Sequence, residues 1–226
     1  MIKLIVFDMA GTTIDEDNVV YKTVQKSINA KGYQISLDKV LAEGAGKEKR
    51  QAIQSILKVY ENMDDNSLTD EIYENFSTSL NQAYELLPVY PQPHVYDLFS
   101  DLRRRKIFIA LNTGYSSQIA NLLIQKLGWK KGKEFDYLIT ASDVPRNRPN
   151  PDMINLAMDL CGIKNPLEVV KVGDSIIDIE EGLNAGCKYS IGITTGAHTA
   201  QQLLTAAPDY IINDLMELPE ILDNQR

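Results

Sequence analysis

The stretch Lys3-Leu-Ile-Val-Phe7-Asp8-Met9-Ala10-Gly11-Thr12-Thr13 decides the fold of this 226-residue chain. Its first five residues are mostly apolar and β-branched, which predicts a buried strand. Asp8 follows directly, where the strand gives way to a loop. A carboxylate at that point is costly unless a partner compensates its charge. Asp8 is therefore either a turn or capping residue or part of a ligand site, because open α/β sheets bind ligands at the carboxyl ends of their strands.

Composition and charge exclude several classes of function. The formal net charge is −8 and the sequence pI is about 4.9, so neither nucleic acid nor an anionic membrane surface is an expected partner. No apolar stretch reaches membrane-spanning length, and the N-terminus has no signal-peptide pattern. Cys161 and Cys187 stand alone without a Cys-x-x-Cys spacing, which favours reduced thiols. We therefore expect a cytoplasmic protein with no nucleic-acid and no membrane partner.

Hydrophobic spacing divides the chain into two parts. In residues 16–90 the apolar residues recur at helical spacing, with almost no strand pattern, which predicts a helical insert. After a proline-rich connector, short apolar strands alternate with amphipathic helices, the pattern of a parallel sheet covered by helices on both faces. We expect an α/β fold, a doubly wound parallel sheet formed by residues 1–15 and 91–226, with an inserted α-helical cap at residues 16–90.

Polar side chains should collect at one edge of this sheet, because the carboxyl ends of parallel strands meet there. Clustered carboxylates repel and raise one another's pKa. A divalent cation relieves that repulsion, and oxygen ligands favour Mg²⁺, with a phosphate to complete its coordination. Each residue alone is equally typical of a helix cap or a surface charge, so the prediction depends on their joint placement. The residues are Asp8, Thr12, Asn112, Thr113, Arg148, Asp174, Ser175 and Asp178.

Four segments in this order resemble the haloacid dehalogenase (HAD) superfamily of aspartyl-nucleophile hydrolases, and within it the phosphonatase (phosphonoacetaldehyde hydrolase) branch. The resemblance covers the core and implies a Rossmann-like sheet, while the helical insert is similar to the mobile cap of that family. The segments are Asp8-Met-Ala-Gly-Thr-Thr-Ile-Asp15, Thr113-Gly114-Tyr115, Ser142-Asp143-Val144-Pro145 with Arg148-Pro149-x-Pro151, and Val172-Gly173-Asp174-Ser175-x-x-Asp178 leading to Gly186.

The resemblance implies a nucleophile and a metal site. Asp8 would attack phosphorus, form an aspartyl-phosphate and also ligate Mg²⁺. The backbone carbonyl of Ala10 and the carboxylate of Asp174 would be further metal ligands. Asp178 would orient the metal, directly or through water.

The resemblance also implies how the phosphoryl group is held. Thr113 would bind phosphate oxygens, and Arg148 would neutralise both Asp8 and the phosphoryl group. Thr12 and Gly114 would contact the substrate. These roles agree with phosphoryl transfer in general, which is driven mainly by positioning and charge neutralisation.

Ala10 distinguishes this chain from the phosphatases and mutases of the superfamily. Those enzymes carry a second Asp two residues after the nucleophile, which protonates the leaving group. The phosphonatase branch shares the alanine. It breaks a P–C bond after a cap lysine has formed a Schiff base with the substrate aldehyde, so that an enamine leaves instead of a carbanion.

Lys47, at the start of a predicted cap helix, matches the lysine of that branch, as a catalytic and substrate-binding residue. The nearby Lys49 and Arg50 would lower its pKa, as an amine nucleophile requires. Two alternatives stay open for Lys47, a protonated phosphate clamp that closes with the cap and a solvated basic turn. The chain departs from the branch pattern at three positions, with Met9 for Trp, Asn18 for Cys and Arg50 for His.

We therefore expect a Mg²⁺-dependent hydrolase that cleaves the P–C bond of phosphonoacetaldehyde or a close relative. The alternative is a phosphatase of a small phosphorylated metabolite. A haloacid dehalogenase also lacks the second Asp, but it needs no metal and so does not explain the Gly173-Asp174 pair. A non-catalytic binding protein on this fold does not explain the intact set of site residues. The resemblance further implies a homodimer through the cap.

Overall fold

The computed structural model describes residues 1–86 and 88–224. Leu87, within the predicted cap range, and residues 225–226, within the predicted core range, lie outside the described residues. The strands are β1 (Leu4–Asp8), β2 (Ile14–Asp15), β3 (Tyr90–Pro91), β4 (Phe108–Thr113), β5 (Tyr137–Thr140), β6 (Val169–Gly173), β7 (Tyr189–Ile193) and β8 (Tyr210–Ile212). The helices are α1 (Val19–Asn29), α2 (Leu37–Gly44), α3 (Lys49–Glu61), α4 (Asn66–Leu86), α5 (Val95–Arg104), α6 (Ser117–Leu127), α7 (Asp152–Leu160), α8 (Ile176–Asn184), α9 (Ala200–Leu204) and α10 (Leu218–Asp223).

Six strands form one parallel sheet in the order β5-β4-β1-β6-β7-β8. Strand β1 is central and buried along its whole length, because both faces of the sheet are covered. Leu4 and Val6 belong to the hydrophobic cluster under α7, whereas Ile5 and Phe7 belong to a larger cluster on the other face, where Phe7 contacts Phe99 of α5. The predicted α/β fold with a doubly wound parallel sheet is confirmed.

Strand register places the predicted site residues next to one another. Asp8, the last residue of β1, lies opposite Asn112 of β4. On the other side of β1, Phe7 lies opposite Val172 of β6, and Asp174 follows the end of that strand. The carboxyl ends of three neighbouring strands therefore converge on Asp8.

Helices α1 to α4, which we call the cap, lie between β2 and β3 in the chain. Strands β2 and β3 pair antiparallel through Ile14 with Pro91 and Asp15 with Tyr90, so the chain leaves the sheet and returns to it side by side. Helix α3 begins at Lys49 because the Glu48 carboxylate accepts the free backbone N–H groups of Arg50 and Gln51. Within the described residues, none of the helices is both long and apolar enough to cross a membrane.

Candidate active site

Three carboxylates, two that lie at strand ends and one on a helix, form the centre of the site. Asp8 ends β1, Asp174 follows β6, and Asp178 lies in the first turn of α8. All three are buried, and one oxygen from each lies within 4.8 Å of the others. This spacing and the all-oxygen donor set suit a metal ion. The sequence-based expectation that these three residues converge agrees with their placement.

The guanidinium of Arg148 links the nucleophile candidate to the rest of the site. Its Nη1 lies 2.7 Å from Asp8 Oδ1 and 2.9 Å from Asp178 Oδ1, and its Nε lies 3.0 Å from Glu181 Oε2. Its Nη2 donates to the Asn112 side chain at 2.7 Å. Arg148 is almost completely buried, so its charge is compensated by these contacts rather than by water.

A second buried cation, Lys171, was not among the predicted site residues. Its Nζ lies 2.9 Å from Asp178 Oδ1 and 3.4 Å from Glu181 Oε2, and it donates to Asn112 Oδ1 at 2.7 Å. Asn112 in turn donates to both oxygens of Glu181. The unusual position of a lysine inside the apolar strand Val169–Gly173 could have indicated this network.

The buried charges of the site do not balance. Within the core, without Lys49 of the cap, Arg148 and Lys171 supply two positive charges, whereas Asp8, Asp174, Asp178 and Glu181 supply four negative charges when ionised. The two missing positive charges equal the charge of one divalent cation. The residues present therefore fit a divalent metal in both charge and donor type.

The pKa values follow from this imbalance. Burial, together with Asp178, raises the pKa of Asp8 to about 6, and burial beside Asp8 raises that of Asp174 well above its usual range. Burial opposes ionisation of Asp178 as well, but Arg148 and Lys171 hold its pKa below the usual value. Both oxygens of Asp178 are already engaged, one by the two cations and one by Ser175. Asp178 thus orients the site, whereas the negative charges of Asp8 and Asp174 are not fully compensated by the cations present.

The loop residues predicted to contact phosphate or metal surround this centre. The Thr113 hydroxyl accepts the Tyr115 N–H at 3.2 Å, which leaves its proton able to serve another acceptor. Thr12 donates to Asp174 Oδ1 at 3.4 Å. Ala10 is half-buried in the loop after β1 and forms an isolated bridge with Ile14.

The cap loop packs directly onto the site. The Gly46 N–H donates to Tyr21 Oη at 3.0 Å, and the Gly46 carbonyl lies 3.5 Å from Arg148 Nη1. A Cβ on Gly114 would meet the Lys47 carbonyl oxygen at 2.8 Å, so glycine permits this close approach of cap and core. The packing shields the carboxylates from water and so strengthens the electrostatic interactions inside.

The structure distinguishes Lys47 from Lys49. The Lys47 ammonium pairs with Glu43 at 2.6 Å and its side chain is 20% exposed. Lys49 is only 5% exposed, and its Nζ donates to the Lys47 carbonyl at 2.6 Å and lies 5.2 Å from the ring centres of Tyr21 and Tyr115. Sequence spacing alone did not single out Lys49, because the two lysines are separated by a single residue.

The pKa of Lys49 also differs from that of an ordinary lysine. Burial lowers it to about 8, while Glu48 and Asp8 partly offset that effect and Arg148 adds to it. The amine is thus neutral in part at neutral pH, as an amine nucleophile requires. The predicted role of Lys47 is untested, but Lys49 has the environment which that role demands.

Replacing Arg148 with Met should lower the free energy of unfolding by about 3–5 kcal/mol, because Asp8, Asp178 and Glu181 lose their shared cation in a buried setting. Urea denaturation in EDTA measures this loss without a contribution from bound metal. The control is Arg146→Met, which removes a largely exposed guanidinium from its pair with Asp152 and should change the free energy of unfolding far less. Equal effects of the two substitutions would contradict the central place of Arg148.

The chain belongs to the haloacid dehalogenase-like hydrolase family. The family model with that description matches residues 5–191, which include the three carboxylates, Arg148 and the whole cap. The chain is accordingly a hydrolase, as its site residues indicated.

Two relatives that match this chain are named phosphonoacetaldehyde hydrolase. The protein of Latilactobacillus sakei subsp. sakei (strain 23K) is 29% identical over 259 residues, covering 98% of this chain and 95% of that protein. The protein of Bacillus mycoides (strain KBAB4) is 30% identical over 210 residues, covering 87% and 77%.

Among solved structures, a phosphonoacetaldehyde hydrolase-like protein from Oleispira antarctica superposes with a TM-score of 0.83 at 22% identity, covering 99% of this chain and 92% of that one. The predicted resemblance to the phosphonatase branch is confirmed.

Proposed function

We propose that this protein is a Mg²⁺-dependent phosphonatase-type hydrolase that cleaves the P–C bond of phosphonoacetaldehyde or a close relative. The observation that carries the proposal is the buried amine of Lys49, whose pKa burial lowers to about 8 although the charge of Asp8 acts to raise it. Ala10 supports it, because the chain has alanine where a phosphatase acid would stand. A cytoplasmic location and a homodimer through the cap stay predictions.

The first chemical step would use Lys49. Its neutral amine attacks the carbonyl carbon of the substrate aldehyde, and loss of water gives a protonated imine. The imine is an electron sink next to the P–C bond. The imine replaces the missing acid, because it accepts the electron pair of the breaking P–C bond. The leaving carbon therefore needs no proton in that step.

The second step would use Asp8. A carboxylate oxygen of Asp8 attacks phosphorus, the P–C bond breaks, and its electron pair moves into the imine to give an enamine and an aspartyl-phosphate. Water then releases phosphate from Asp8, and protonation and hydrolysis of the enamine release acetaldehyde and restore Lys49.

The remaining site residues would neutralise charge. Asp8, Asp174 and the Ala10 carbonyl would hold Mg²⁺, which when bound supplies positive charge to the phosphoryl oxygens. Arg148 faces Asp8 and would limit its repulsion from the anionic substrate. Asp178 keeps Arg148 in place, while Thr113, with its free hydroxyl proton, would bind a phosphate oxygen.

A phosphatase of a small phosphorylated metabolite is the second candidate, and one observation favours it. The phosphonatase branch carries His three residues after its lysine. The residue at that distance is Arg50 from Lys47 and Ala52 from Lys49, so neither lysine has the histidine. In that case Lys49 would act as a cation that binds the phosphate.

The rate of P–C cleavage should rise with pH up to about 8 under subsaturating substrate. The pKa of Lys49 is lowered to about 8, so the fraction of neutral amine increases through that region and levels off above it. The pH profile of kcat/KM for phosphonoacetaldehyde measures this limb. A flat profile between neutral pH and that value would argue against an amine nucleophile with this pKa.

Reductive trapping tests the proposal directly. The protein is incubated with phosphonoacetaldehyde and sodium borohydride, and peptide mass spectrometry locates the reduced adduct. We expect the adduct on Lys49, with Lys47 unmodified. Absence of any lysine adduct, in protein that hydrolyses an acyl phosphate, would favour the phosphatase instead.

A further inference from the structure

Glu16 is a buried carboxyl group that the proposed chemistry leaves without a task. It follows β2 at the entrance to the cap and is only 4% exposed. Its Oε2 accepts hydrogen bonds from the Tyr84 hydroxyl on α4 at 2.7 Å and from the Val20 N–H on α1 at 3.2 Å. A buried carboxylate costs stability unless it is compensated, so a glutamate held in this way demands an explanation.

Tyr115 connects the surroundings of Glu16 to those of Lys49. The Nζ of Lys49 lies 5.2 Å from the ring centre of Tyr115. The buried hydroxyl of Tyr115 lies beside that of Tyr84 but has no hydrogen bond of ordinary geometry among the described residues. Glu16, Tyr84, Tyr115 and Lys49 thus form one cluster at the boundary of cap and core.

The groups at the two ends of the cluster, the carboxyl of Glu16 and the amine of Lys49, both have pKa values close to neutral pH. Burial raises the pKa of Glu16 to about 7 with a smaller contribution from the charge of Asp15, while the hydrogen bonds from Tyr84 and Val20 and the charge of Lys49 act to lower it. Burial lowers the pKa of Lys49 to about 8, and Glu16 itself is among the charges that oppose this. The other groups facing Lys49 are Glu48, Asp8 and Arg148, and Tyr21 faces both ends of the cluster with its pKa raised by burial.

We propose that Glu16, held by Tyr84, is a positioning residue that sets the protonation of Lys49 across the tyrosine cluster. This role of Glu16 toward Lys49 rests on the proposed function, because an amine that attacks a carbonyl must first lose a proton. In the resting cluster Lys49 is an ammonium and Glu16 a carboxylate. Net transfer of one proton from Lys49 to Glu16 leaves a neutral amine and a neutral carboxyl. The same proton can return when the oxygen of the carbonyl leaves as water.

Trace labelling with acetic anhydride tests this without any turnover, because the reagent acylates only neutral amines. A cavity of about 210 Å³ lined by Lys49, Gly114 and Tyr115 gives a small reagent access. The acetylated fraction of Lys49 is measured by peptide mass spectrometry as pH is varied, with the exposed Lys164 as internal reference.

We expect the labelling midpoint of Lys49 to fall by about one pH unit in Glu16→Gln, because the ammonium loses a buried negative neighbour. Glu16→Asp should keep the midpoint near that of the wild type. Tyr84→Phe should lower it in the same direction, since Glu16 loses the hydrogen bond that favours its charged form. The matched control is Glu85→Gln, an exposed glutamate beside Tyr84, which should not move it.

An unchanged midpoint in Glu16→Gln, with circular dichroism matching the wild type, would overturn the proposal. So would a wild-type Lys49 that resists labelling at every pH. If Glu16→Gln does not fold, Tyr84→Phe decides by the same criterion. Loss of the proposed P–C cleavage is a separate result, because the labelling midpoint does not depend on any substrate.

Discussion

Replacing Asp8 with Asn should abolish phosphate release from every substrate, with kcat at least about 10³-fold lower. The amide oxygen is too weak a nucleophile to attack phosphorus, and the substitution also removes the charge that faces Arg148 at 2.7 Å. A phosphate assay under saturating substrate measures the effect. The control is Asp159→Asn, which changes an exposed carboxylate on α7 and should retain wild-type turnover.

Stability separates loss of the nucleophile from misfolding. The pKa of Asp8 is raised from 3.8 to about 6, so its ionised form is disfavoured in the folded protein and stability falls as pH rises through that window. At neutral pH the neutral Asn avoids this cost, and the metal-free variant should melt at least as high as the wild type. An inactive variant that also melts lower would leave the role of Asp8 undecided by kinetics, whereas near wild-type turnover would remove Asp8 as the nucleophile.

Replacing Lys49 with Arg should lower the rate of P–C cleavage at least about 10³-fold, because a guanidinium keeps the positive charge but forms no imine. Lys47→Arg is the matched control, since the Lys47 ammonium pairs with Glu43 of α2 and a guanidinium keeps the charge for that pair, and its rate should stay within about 3-fold of the wild type. Initial rates with phosphonoacetaldehyde measure both.

The two candidate functions predict different activities for the variants Lys49→Arg and Lys47→Arg. If Lys49 only binds phosphate in a phosphatase, Lys49→Arg should retain most of the activity toward an acyl phosphate. A large loss in Lys47→Arg with little change in Lys49→Arg would return the role of amine nucleophile to Lys47, as the sequence spacing first indicated.

The sheet and the carboxylate cluster at its edge were predictable because they depend on topology. In a parallel sheet, a carboxylate at the end of a buried strand lies at the edge formed by the carboxyl ends of the strands. Asp8, Asp174 and Arg148 meet at that edge as expected. The strand predicted at Lys3–Phe7 is shifted by one residue in the structure, where it spans Leu4–Asp8. The two-residue strands β2 and β3 were missed, because so short a segment shows no periodicity.

The network beneath the site was not predictable from local pattern. Lys171 and Glu181 compensate each other only after β6 and α8 have packed, and nothing in their neighbouring sequence requires that contact. Lys49 was missed for a different reason. The residue that fixes the start of α3 is Glu48, whose carboxylate caps the helix and so places Lys49, rather than Lys47, in the buried first turn.

Phosphate release from phosphonoacetaldehyde, measured with Mg²⁺ and again with EDTA, tests P–C cleavage most directly. We expect stoichiometric phosphate and acetaldehyde with Mg²⁺, and loss of both with EDTA that is reversed when Mg²⁺ is restored. No phosphate release with Mg²⁺, from protein that still hydrolyses an acyl phosphate, would contradict P–C cleavage and leave a phosphatase built on the same site.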